Sequence, residues 1–143
     1  MTNDIDDPYA LHRFVDAQDS VYDQVCSELR QGHKRSHWIW FIFPQIEGLG
    51  LSPTSRAFAI SSLEEAAAYC RHPILGPRLL QCTELVNEIS GRQIQQILAP
   101  PDDLKFGSSM TLFAYATTDN QVFEAALQKY FSGQYDQLTL DRL

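Results

Sequence analysis

Apolar residues in this chain recur three and four positions apart and almost never alternate. That spacing gathers them on one face of an α-helix and would scatter them over both faces of a strand. Val21, Tyr22, Val25, Cys26 and Leu29 form one stripe. Leu79, Cys82, Val86 and Ile89 form a second, and Val122, Phe123, Ala126, Leu127 and Tyr130 a third. Gly32, Gly91 and Gly133 stand where helix C-caps belong, and Pro44, Pro73 and Pro100-Pro101 stop what precedes them. Helix starts are signalled by Asp7 before Pro8, Ser20 with Asp23, Ser36, Pro53, Ser62 before Glu64-Glu65, Asp102, Asp119 or Asn120, and Asp136. Strand signals are almost absent. The chain is therefore expected to be all-α: an irregular single-domain bundle over residues 1–143, with seven or eight helices joined by short loops.

The 143 residues, 44% of them hydrophobic, can bury a core without a disulfide or metal staple. A net charge of -7 repels phosphate backbones, so nucleic acid is not an expected partner. The three cysteines, Cys26, Cys70 and Cys82, are odd in number and include no Cys-x-x-Cys pair. That suits a reducing cytoplasm, with Cys70 and Cys82 read as buried, inert thiols. The N-terminus is acidic (Asp4, Asp6, Asp7), unlike a signal peptide. The longest apolar run, Trp38 to Phe43, is too short to span a membrane.

The segment from Arg30 to Gln45 is the most unusual. It holds three of the eleven basic residues, two of the four histidines and both tryptophans. Cations beside planar rings suit an anionic, planar ligand, because charge meets phosphate or carboxylate while a ring stacks on a base. A short helix capped by Ser36 would add outward N–H groups. Two tryptophans in three residues on so short an element do not easily both face inward. His33 and His37 have the i, i+4 spacing of a zinc pair, but Gly32 breaks the helix there and no glutamate accompanies them, so no metal is expected. No cofactor fingerprint is present either.

The second unusual stretch is Asp102-Asp103-Leu104-Lys105-Phe106-Gly107-Ser108-Ser109-Met110-Thr111, which places carboxylates, an amine and hydroxyls in a largely apolar helix. Its hydroxyls can bond back to helix carbonyls. Alternatively, Asp102, Lys105 and Ser109 line a pocket with His37, and a serine near lysine or histidine is a candidate nucleophile.

Several motifs together resemble a known family. They are Asp7-Pro8-Tyr9, Arg13-Phe14, Ala17-Gln18, the run from Lys34 to Gln45, Gly48-Leu49-Gly50, the run from His72 to Leu79, and Asp102-Asp103-Leu104-Lys105 with Ser108 to Phe113. They resemble the bacterial domain of unknown function 1810 family, whose members are often labelled calpastatin. The resemblance implies a compact, mainly α-helical fold in small stand-alone proteins and supplies no activity. Calpastatin-type inhibitors are disordered and poor in aromatic residues, the opposite of this chain.

The residue chemistry points first to a site that binds or hydrolyses an anionic, nucleotide-like small molecule. Arg13, Gln18, Lys34, Arg35, Trp38, Trp40 and Gln45 are the expected ligand-binding residues, and His37, Lys105 and Ser109 the expected catalytic ones. The alternative is a non-catalytic protein-interaction module that presents Trp38 and Trp40 as an exposed patch. A third reading buries the tryptophan block in an oligomer.

Overall fold

A computed structural model describes residues 7–143. Asp4 and Asp6 of the acidic N-terminus, with the rest of the first six residues of the expected 1–143 domain, lie outside the described residues. The described chain forms ten α-helices: α1 (His12–Asp19), α2 (Tyr22–Arg30), α3 (Ile39–Ile42), α4 (Pro53–Ala57), α5 (Leu63–Arg71), α6 (Leu75–Asn87), α7 (Ile94–Ile97), α8 (Asp102–Ala116), α9 (Gln121–Phe131) and α10 (Gln137–Leu140). The all-α class matches expectation, whereas the count exceeds the expected seven or eight. Four of the ten, α3, α4, α7 and α10, are about one turn long, too short for apolar periodicity to count reliably. The only β pairing among the described residues is an isolated parallel bridge between Ile46 and Ile60.

Helix α8 runs through the middle. Phe106 to Ala114 are all buried, because α5 and α9 cover it on two sides while α3, α7 and α10 close the rest. The small and hydroxyl residues of this helix serve the packing. Thr111 Oγ1 donates to Gly107 O at 2.9 Å and accepts from Asp136 N at 2.9 Å. Ser108 Oγ lies 2.9 Å from Asp136 Oδ2, the carboxylate that caps α10 through Thr139 N. Phe43 meets Phe106 edge-on with ring centroids 4.9 Å apart, which fastens α3 to the same core.

Several helix starts read from sequence are present. Ser62 Oγ accepts from Glu65 N at 3.1 Å at the head of α5, and Ser52 caps α4 ahead of Pro53. Others differ. Asp7 does accept from Leu11 N and His12 N, at 2.8 and 3.0 Å, but it does so across a turn in which Ala10 takes φ 52°, so α1 begins at His12 and not at Pro8. Ser20 with Asp23 forms no side-chain cap on α2, and α8 begins with Asp102 inside its first turn after Pro101.

Gly76 marks the closest approach between elements near the α5–α6 turn. A Cβ built on it would lie 2.2 Å from the Cys70 carbonyl oxygen, a backbone atom that cannot swing aside. Gly76→Ala is therefore expected to lower stability by about 2 kcal/mol, as overpacked positions do, read from the urea midpoint at unchanged slope.

Candidate functional site

The site begins with a glutamate in an apolar stripe. Glu28 sits between Val25 and Leu29 on the inward face of α2, and is 4% exposed. A carboxylate buried there must be matched by donors. After α2 the chain reverses at Gly32, whose φ of 72° suits a residue without a Cβ, and returns over the end of that helix. The returning residues supply the donors. Arg35 N and Ser36 N donate to Glu28 Oε1 at 2.8 and 3.1 Å, and the Trp38 indole N–H donates to it at 2.9 Å. Ser36 Oγ and Gln24 Nε2 donate to Oε2 at 2.6 and 3.0 Å. Burial alone would raise this carboxyl, but the hydrogen bonds from Ser36, Arg35, Trp38 and Gln24 outweigh it and bring it down to about 2 from an ordinary 4.5.

The Ser36 hydroxyl is thus spent on Glu28 and does not cap a helix. Helix α3 starts after Trp38 instead, with no side-chain cap. This corrects the expected Ser36 cap and also resolves the crowding of two tryptophans. Trp38 lies outside the helical turn, points inward and is 1% exposed. Trp40, inside the turn, is half-buried, and Lys105 Nζ lies over its ring 5.4 Å from the centroid. The Trp40 indole N–H is buried without a partner among the described residues.

With its backbone held by Glu28, the loop faces the turn that leads into α8. Lys34 N donates to Ile97 O at 2.9 Å, and Lys34 Nζ pairs with Asp102 Oδ2 at 2.8 Å. Lys34 also lies over the Trp38 ring, 5.1 Å from its centroid. Between the two walls is an open cleft of about 310 Å³, lined by Lys34, Arg35, Ser36 and His37 on one side and by Ala99, Pro100, Pro101 and Asp102 on the other. Arg35 is anchored through its guanidinium to Gln31 Oε1, and both Arg35 and His37 are exposed. Cations and one carboxylate therefore share an open cleft at the N-terminal end of a fifteen-residue helix.

The structure brings together only part of the expected site. Lys34, Arg35 and His37 meet in the cleft, with Trp38 behind them in the core. Arg13 and Gln18 lie elsewhere, at the joint of α1 with α5. All five guanidinium N–H donors of Arg13 are engaged: by Ala57 O (2.9 Å), Tyr9 O (2.7 Å), Ala10 O (3.0 Å), Ala59 O (2.8 Å) and Glu65 Oε2 (3.0 Å). Gln18 is buried, and its amide donates to Phe41 O at 2.7 Å and to Tyr69 Oη at 3.1 Å. The backbone of Gln45 pairs with Ile60 and its side chain does not line the cleft. Lys105 caps Trp40, and Ser109 is fully buried with its hydroxyl unpartnered among the described residues. Glu28, which organises the loop, is the residue that sequence reasoning missed. Its signal was an acid at a stripe position, three residues after Val25.

The family model described as "Protein of unknown function (DUF1810)" matches residues 8–143. The chain belongs to this family. Among solved structures, it is similar to the conserved hypothetical protein Rv1873 of Mycobacterium tuberculosis. The two are 58% identical over 96% of this chain and 98% of that one, with a TM-score of 0.95. No curated protein matches the chain. Among the described residues, no helix is long and apolar enough to cross a membrane.

Proposed function

We propose that the cleft between residues 34–37 and 99–102 binds a small anionic molecule, of the size of a phosphorylated or nucleotide-like metabolite, without hydrolysing it. The observation that carries this reading is the cationic loop, fixed in advance by Glu28 and set across about 310 Å³ from the N-terminal end of α8. A loop whose backbone is already held loses little freedom when a ligand arrives. Arg35 offers a planar, bidentate donor, and His37 a second donor beside it. Lys34 joins when the anion displaces Asp102, which makes Asp102 a built-in competitor that sets the affinity. Trp38 supports the wall from behind and does not stack on the ligand. Binding, and not hydrolysis, is favoured because Ser109 is sealed in the core and Lys105 stands over Trp40, both away from the cleft.

Isothermal titration of the full chain with inorganic phosphate, AMP and ADP-ribose tests the proposal. One of these is expected to bind, with affinity falling steeply as salt rises. Arg35→Ala should weaken that binding by about tenfold, the worth of one charge-assisted contact. Lys129→Ala, on distant α9, should leave it unchanged. Heat from none of the three, or equal affinity in an Arg35→Ala/His37→Ala double variant, would overturn it.

A further inference from the structure

Away from that cleft, α1 and the α5–α6 turn flank a second open cavity, of about 520 Å³. That volume is in the range of small-molecule sites. One wall is α1 with the turn before it, and the other is the end of α5 with the residues that lead into α6. Each wall carries a histidine, and hydrogen bonds fix the two rings in opposite tautomers.

On the α1 wall, His12 Nδ1 lies 2.8 Å from Asp7 Oδ2. Asp7 also accepts from Leu11 N and His12 N. Burial alone would raise its carboxyl, but the bonds from His12 and Leu11 outweigh it and hold it below its ordinary value. Asp7 is thus ionised, and the His12 Nδ1 carries the proton it donates. In the neutral ring, Nε2 is then left as an acceptor. The turn that brings Asp7 to His12 holds Ala10 at φ 52°, a strained conformation for a residue with a Cβ. Asp16 follows His12 by one helical turn, so the two acceptors stand on one face of α1 and line the same cavity.

On the other wall the arrangement is reversed. His72 Nδ1 accepts from Ile74 N at 3.1 Å and from Leu75 N at 3.2 Å. Its lone pair is spent there, so the proton sits on Nε2, which is a donor. Arg71, the last residue of α5, adds its guanidinium to the same wall. Neither Arg71 nor Asp16 forms an ion pair among the described residues. Leu11, Val15, Ala68 and Ile74 supply an aliphatic lining.

We propose that this cavity binds a free α-amino acid with an apolar side chain. Donors on one wall and acceptors on the other, with an aliphatic lining, complement such a zwitterion group by group. Arg71 takes the carboxylate as a bidentate partner, and His72 Nε2–H adds a second contact. Asp16 and His12 Nε2 accept from the ammonium. The apolar side chain covers the aliphatic lining. An apolar monocarboxylate would leave Asp16 unmatched, and an apolar amine would leave Arg71 unmatched. A polyanion of the kind that suits the cleft at 34–37 would be repelled here by Asp16.

Titration calorimetry and amide chemical shifts of the full chain with leucine, valine and phenylalanine, in mildly alkaline buffer, test the proposal. At least one should bind. The bound amino acid should bind at least about tenfold more tightly than its analogue without the ammonium and its analogue without the carboxylate; for leucine these are isocaproate and isopentylamine. Arg71→Ala and Asp16→Asn, both at exposed positions, should each weaken binding by about tenfold. Lys129→Ala should leave it unchanged. An unchanged melting temperature without ligand separates lost binding from lost fold in each variant. No response to any of the three amino acids would overturn the proposal. So would an analogue without the ammonium that binds as tightly as its parent, or full affinity in an Arg71→Ala/Asp16→Asn double variant.

Discussion

Glu28→Ala should cost this protein about 4 kcal/mol of folding stability, the range seen when one side of a buried, charge-assisted network is removed. The loss is large because the carboxylate is the common acceptor for two backbone N–H groups, a serine hydroxyl, a glutamine amide and the Trp38 indole. Alanine would strand the buried indole and leave two part-buried backbone donors without their acceptor. Glu28→Gln keeps one carbonyl oxygen for Trp38, Arg35 and Ser36 but turns an N–H₂ group toward Ser36 and Gln24, so about half that loss is expected. Urea unfolding followed by tryptophan fluorescence reads both variants, since Trp38 reports on the residue it has lost. A cost under about 1 kcal/mol for the alanine variant would show that Glu28 does not hold the loop.

The same residue sets an acid limit. The folded carboxyl titrates near 2, below the 4.5 of an unperturbed glutamate. Its contribution is therefore complete above about pH 4.5 and is lost as pH falls through 2, a total of roughly 3 kcal/mol. The wild-type stability profile should fall across that window, and the glutamine variant should lack this part of the fall.

Arg13→Ala is expected to cost about 3 kcal/mol. Arg13 ties the start of α1 to the segment before α5 through four carbonyls, two on each side, and the buried Glu65. Glu65 would keep Ser61 N and Ser61 Oγ, at 2.9 and 2.7 Å, so it would not be wholly stranded, which limits the loss. Arg13→Lys keeps the charge but offers three donors where five are used, and should recover less than half. Because the five contacts leave no donor free, Arg13→Lys should not change the affinity of any ligand bound in the cleft. A changed affinity at unchanged stability would return Arg13 to the ligand-binding set in which its charge and sequence first placed it.

Helices α2, α6 and α9 were legible because each carries its own period, whereas α8, buried from Phe106 to Ala114, carries none; the Ser62 and Asp136 caps were legible because a cap and its amide are three residues apart. The cleft was legible in part, since Lys34, Arg35 and His37 are neighbours in the chain. What local patterning could not reveal were pairings across the fold. Arg13 looked like a free cation because its carbonyl partners at Ala57 and Ala59 lie 44 and 46 residues away. Ser36 looked like a cap because nothing nearby signals that its hydroxyl belongs to Glu28. Trp38 looked too crowded to bury because a one-turn helix that excludes it leaves no periodic trace.

The bonds that hold α1 have a consequence for how the chain acquires its structure on the ribosome. Apart from their local carbonyls, Arg13 waits for residues 57–65, and Gln18 waits for Phe41, Tyr69 and Arg78. An eight-residue helix cannot persist alone in water. Helix α1 thus leaves the exit tunnel before the residues that hold it, and it spends that interval as an exposed stretch a nascent-chain chaperone would meet.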